Sequence, residues 1–166
     1  MESHPSLRRI RFWILIFIVG LVFSGITAFP LKTEVHGLFQ LLQSPALISL
    51  ATSTHLLPWI TRVDHALTYT GVEYSFLAYG TDWLAYGHLV IALAFVGAYR
   101  DPLQNRWLLT FGLMACTGVV PLALIAGHFR GIPFGWQLVD CCFGIFGAIP
   151  LLLARRALRE LERNSD

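Results

Sequence analysis

Two ionisable side chains stand where polarity is expensive. Asp140 interrupts the run PFGWQLVDCCFGIFGAIPLLLA, and His88 interrupts WLAYGHLVIALAFVGAY. An acid or imidazole within a long apolar segment costs free energy unless it is paired, so each is a candidate for binding or proton chemistry. Asp140 lies about seven residues into its run, roughly 10 Å from the run's start at the helical rise. Gln137, Asp140, Gly144 and Ala148 recur at helical steps, which puts the acid on the small-residue face where helices approach closely. His88 lies six residues beyond Asp82, roughly 9 Å into its own segment. It shares a face with Ala85 and Ala92. At matching depth, an Asp140–His88 contact would stabilise both groups and orient the imidazole. His128 and Arg130 fall in the turn GHFRGIPF, and Asp82 opens the segment that holds His88. Asp82, His88, His128, Arg130 and Asp140 therefore gather at one end of the apolar segments and form the expected ligand-binding group.

Several chemistries can be weighed against this set. Axial ligation of a haem by His88 and His128 is disfavoured by depths that differ by roughly 10 Å. A metal site would use the same His and Asp residues, but no HxxxH or HxxE pair is present, and no metal is expected. A proton relay through Asp140 and His88 would need a continuation, for which the other halves of the segments offer little beyond Thr110 and Thr117. The cysteines Cys116, Cys141 and Cys142 form no CxxC pair and lie in apolar runs. They are expected to be free thiols acting as small hydrophobes, with Cys116–Cys142 as the one pair worth testing as a disulfide. The set defines a place rather than a reaction: its catalytic role and cofactor are unknown from the residues.

The elements that must carry these residues are legible from composition. Of the 166 residues, 55% are hydrophobic and only 13% charged, about half the charge of an ordinary soluble domain. Mean hydropathy is +0.62. Four apolar spans are predicted at about 12–31, 83–99, 107–127 and 133–155. Each is long enough, alone or with slight extension, for the ~30 Å hydrocarbon core. Continuous runs without alternation make them helices, not barrel strands. The first span follows Arg8, Arg9 and Arg11 and exceeds a usual signal-peptide core, so it is read as a retained anchor. Lys and Arg divide nine against three across the spans when the spans number four. The nine include Arg100, Arg106, Arg155, Arg156, Arg159 and Arg163, and the three are Lys32, Arg62 and Arg130. That asymmetry places both termini in the cytoplasm. Trp13, Trp83, Trp107, Trp136 and several tyrosines fall near span ends, as amphipathic rings in a headgroup layer should. Pro121 and Pro150 are expected to disturb the third and fourth helices, the first near Thr117.

Between the first two spans, residues 32–81 are too apolar for a linker. Val35, Leu38, Leu41 and Leu42 share a helical face until Pro45, and Ile60, Val63 and Leu67 share another after Pro58. The fold class is therefore all-α integral membrane: one transmembrane domain, residues 1–166, with four transmembrane helices and a short amphipathic helical segment between spans 1 and 2. On the other side, Arg100-Asp101-Pro102 and Gln104-Asn105-Arg106 read as a tight turn, whose arginines suit phosphate headgroups.

The stretches GTDWLAYGHLVIALAF, RDPLQNRW and GHFRGIPFGWQLVDCCFGIFGAIP resemble those of small four-span bacterial membrane proteins with no assigned activity. The resemblance covers roughly the C-terminal half and implies a bacterial inner membrane, but no role for any residue. In outline the layout also resembles four-helix sterol-binding and quinone-reducing membrane proteins. The chain lacks the CxxC of the quinone-reducing type and an acid in its first span, as the sterol-binding type would have. Two functions are expected: a non-catalytic accessory subunit or apolar-ligand binder, or a membrane enzyme or redox protein acting on a lipid or quinone. The expected partners are the lipid bilayer and a larger membrane complex or an apolar small molecule. The basic residues form no stripe suited to nucleic acid.

Overall fold

The computed structural model describes residues 5–163 and is helical throughout, with no strand among them. In chain order the helices are α1 (Pro5–Ala28), α2 (Leu31–Leu42), α3 (Ile48–Ser53), α4 (Leu56–Glu73), α5 (Tyr79–Arg100), α6 (Arg106–Phe129) and α7 (Phe134–Arg163), with a 3₁₀ turn over Ser75–Ala78 before α5. Four stretches are long and apolar enough to cross a membrane: Ser6–Ala28, Ser75–Arg100, Arg106–Phe129 and Phe134–Arg163.

The observed boundaries differ from the hydropathy reading where local chemistry overrides it. The first helix ends at Ala28 rather than at Leu31, because Pro30 disfavours helical geometry in the residue before it. Pro30 then caps α2, its carbonyl accepting the Glu34 N–H at 3.0 Å. The second apolar helix begins four residues before Trp83, at Tyr79. The segment between spans is richer than one or two short helices. It holds three, and α4 alone runs 18 residues. Helix α2 stops before Pro45, and Pro58 sits in the first turn of α4, where its missing N–H costs nothing. His55, at the entry to α4, takes a left-handed φ of 56°. Pro121 and Pro150 do not end their helices: α6 and α7 continue through both.

The chain divides into two compact units, residues up to Val22 with Leu89 onward, and Phe23–His88, the division falling within α1 and α5. In the first unit, Ile10, Ile14, Phe17, Phe95, Leu109 and Leu151 build a core, with Phe17 and Phe95 rings 4.7 Å apart. The core follows α7 into its charged tail, where Ala154, Ala157, Leu158 and Leu161 are buried. At that end Arg11 of α1 donates from Nε to the Tyr99 carbonyl (3.1 Å) and from Nη2 to the Arg100 carbonyl (2.9 Å). A cation thus meets the orphan carbonyls closing α5, where the helix dipole is negative. Asn105 Nδ2 donates to the Gly97 and Asp101 carbonyls, and the Asp101 carboxylate accepts the Gln104 N–H at 3.1 Å. These bonds build the tight turn that the sequence indicates between α5 and α6.

In the second unit α2 and α4 pack together, with α3 also against α4. The stem of Lys32 lies 3.9 Å from the position a Cβ on Gly71 would take.

Candidate functional site

Helices α6 and α7 form the closest pair in the first unit, and they position three of the five expected residues. Their closeness comes from small side chains. A Cβ on Gly144 would collide with the main-chain oxygen of Cys116 and lie 3.1 Å from Val119 Cβ. A Cβ on Gly112 would lie 2.7 Å from Leu151 Cδ1 and 2.8 Å from Phe95 Cζ, and one on Gly147 would lie 3.0 Å from Cys116 Sγ. Without Cβ atoms, backbones approach to van der Waals contact.

The turn between these helices is fixed by backbone chemistry. Ile132 N–H donates to the Gly127 carbonyl (2.9 Å) and Gly131 N–H to the His128 carbonyl (3.2 Å), while Gly131 adopts φ +65°. This paired arrangement closes α6 and requires a residue tolerant of positive φ after the last turn. Pro133 follows and caps α7, its carbonyl accepting the Trp136 and Gln137 N–H groups. Gln137 is the one buried polar side chain among the described residues. Its Nε2 donates to the Ile132 carbonyl at 2.7 Å, and its Cγ and Cδ fill the space a Cβ on Gly127 would need.

Against that frame His128 and Arg130 are exposed at the turn, and His128 lies edge-on to Phe129 with ring centroids 5.8 Å apart. Asp140 is half-buried one turn beyond Gln137, with buried Gly144 one turn further on. No hydrogen bond or ion pair joins Asp140 to His128 or Arg130 among the described residues. The three therefore share one end of the α6–α7 pair without forming a bonded cluster. All three cysteines are free thiols, Cys116 and Cys141 buried and Cys142 half-buried.

Asp82 and His88 belong to the second unit, and both are half-buried. His88 lies on the face of Ala85 and Ala92, both buried. Its Nδ1 is 2.9 Å from the Leu84 carbonyl in its own helix. A carbonyl can only accept, so Nδ1 carries the proton of this bond and Nε2 is the nitrogen left to act as acceptor when the ring is neutral.

A second polar group escapes the sequence reading. His36 Nδ1 lies 3.1 Å from Asp64 Oδ1, and His36 Nε2 lies 3.0 Å from Gln40 Nε2. The amide nitrogen can only donate, so in this arrangement Nε2 accepts and Nδ1–H donates to the carboxylate. Asp64, whose side chain is 16% exposed, thereby ties α4 to α2. The i,i+4 pair His36–Gln40 was visible in the sequence. Its partner Asp64, 28 residues away, was not. No group of three or more His, Cys, Asp or Glu residues able to hold a metal occurs among the described residues.

No protein family, curated protein or solved structure matches this chain.

Proposed function

We propose that the chain is a four-span integral protein of a bacterial inner membrane, with both termini in the cytoplasm, acting as a non-catalytic accessory subunit of a larger membrane complex. The observation that carries this reading is the apolar surface left uncovered. Within the most apolar windows of the four spans, only 22%, 22%, 22% and 33% is buried inside the chain. Phe12, Val19, Phe23, Leu93, Met114, Leu122, Phe143 and Phe146 all stand exposed. Lipid or partner helices must cover such surfaces, since water would not tolerate them. The tight α6–α7 pair then serves as a rigid core, and the outward apolar faces remain for association.

Native-membrane purification under mild detergent, followed by mass spectrometry, tests this reading. Stoichiometric partner chains are expected. A lone chain carrying a fixed ratio of quinone, chromophore or lipid would instead favour a second reading, an enzyme or redox protein acting on a lipid or quinone. The observation favouring that alternative is Asp140, a half-buried acid in an apolar helix without a protein partner among the described residues. Such a group is available to a ligand.

A further inference from the structure

The charged tail of α7 carries an outward cationic stripe, with Glu160 at one margin. Over Arg155–Arg163 the buried face is Ala157, Leu158 and Leu161. Opposite it stand Arg156, Arg159 and Arg163, all exposed and spaced at i, i+3 and i+7, so they line one outward face, with Arg155 at its margin. The tail's two acids lie on the flanks and are already engaged by other helices. Glu160 is 3.6 Å from Arg9 of α1, and Glu162 is 3.4 Å from Arg106 of α6. Arg11 is likewise committed, to the end of α5. These contacts tie Arg9, Arg11 and Arg106 to other helices, whereas Arg156, Arg159 and Arg163 form no ion pair among the described residues.

The depth of the stripe can be read from helix length. Helix α7 has 30 residues, about 45 Å at the helical rise, against a hydrocarbon core of ~30 Å. If its apolar part, residues 134–154, spans that core, Arg155, Arg156 and Arg159 begin within about 8 Å of the hydrocarbon edge. That is the thickness of one headgroup layer, where lipid phosphates lie. Arginine forks match phosphate oxygens in geometry and in charge.

We infer that Arg156 and Arg159, supported by Arg155, form a binding site for the phosphodiester headgroup of an anionic phospholipid in the cytoplasmic leaflet. This inference rests on the membrane reading above. Arg163, further along the tail, lies beyond the headgroup layer and adds only long-range attraction.

The test uses the full chain in mild detergent, titrated with phosphatidylglycerol or phosphatidylcholine and read by native mass spectrometry. Phosphatidylglycerol should bind in preference. R156Q/R159Q should lose about fivefold in affinity for each arginine removed, whereas the equally charged control K32Q/R62Q should keep the preference. R156K/R159K should retain most of it, which separates lost charge from lost fold. Equal binding of the two lipids, or equal losses in the two glutamine double variants, would overturn the inference. So would displacement of the lipid by millimolar inorganic phosphate or glycerol phosphate, which would assign the stripe to a soluble anion. A parallel alkaline wash of membranes separates the two levels of failure. A chain that washes off refutes the membrane reading itself, whereas a chain that stays in the pellet without lipid preference refutes only this site.

Discussion

Gly144→Ala is the sharpest probe of the α6–α7 core. The added methyl would be driven against the main-chain oxygen of Cys116, with Val119 Cβ at 3.1 Å behind it. A main-chain oxygen in a helix cannot swing aside, so the helices must separate. Overpacking of this kind costs typically 1–3 kcal/mol, while alanine returns up to about 1 kcal/mol of helix propensity. A net loss of up to about 2 kcal/mol is expected. Gly118→Ala is the internal reference. Its Cβ meets nothing within 4 Å, so only the propensity gain of up to ~1 kcal/mol applies. The propensity gain is common to both, so reversible unfolding in mixed micelles should separate the two variants by about 1–3 kcal/mol. Gly147→Ala adds a second discrimination. Its obstacle is the Cys116 Sγ at 3.0 Å, a side-chain atom, so Cys116→Ala should rescue Gly147→Ala and should not rescue Gly144→Ala. A double-mutant cycle reads this coupling directly. Equal stability of Gly144→Ala and Gly118→Ala, or rescue of Gly144→Ala by Cys116→Ala, would refute the backbone-contact argument.

Gln137→Ala removes the bond to the Ile132 carbonyl and empties the space beside Gly127, and should cost about 1–3 kcal/mol in the same unfolding assay. His36→Ala strips Asp64 of its imidazole partner. Amides of residues 31–42 should exchange faster by about 1 kcal/mol of local stability, with those of α6 and α7 unchanged, as read by hydrogen-exchange mass spectrometry. Asp140→Leu should preserve insertion yet diminish recovery of copurifying partners. Asp140→Asn should be milder if the carboxyl only makes a hydrogen bond, and as severe if its charge or proton is used. Partner yield against membrane-fraction yield distinguishes these outcomes.

The long apolar helices were legible because their signal is additive: twenty neighbouring residues vote together, and Asp101 marks the turn after the second span, but the first span was read to residue 31, past the break at Pro30 that ends its helix at Ala28. The sequence GHFRGIPF was legible as a turn, but the parts Gly131 and Pro133 play in closing α6 and opening α7 came only with the structure. Tertiary pairing was less accessible. The small faces of α7 were apparent from Gly144 and Ala148, but not that Gly144 seats on Cys116 or that Gln137 fills the gap at Gly127. Those contacts depend on the register between two helices, which neither helix encodes alone. Gln137 was seen as one member of a face and passed over beside Asp140, although it is the side chain the structure buries and bonds. The His36–Asp64 tie was missed for the same reason. Its partners come from helices whose relative placement no local pattern specifies, and a three-helix segment was read as one or two amphipathic pieces.

Topology tests the central claim most directly. Alkaline phosphatase, active only outside the cytoplasm, can be fused after Asp166, which lies outside the described residues, and in a second chain after Gln43, just beyond α2. A fluorescent protein that matures only in the cytoplasm can be fused at the same two positions. The four-span account predicts an inactive phosphatase and a fluorescent reporter at Asp166, with the reverse at Gln43. An active phosphatase at Asp166, or the same reporter response at both positions, would contradict it.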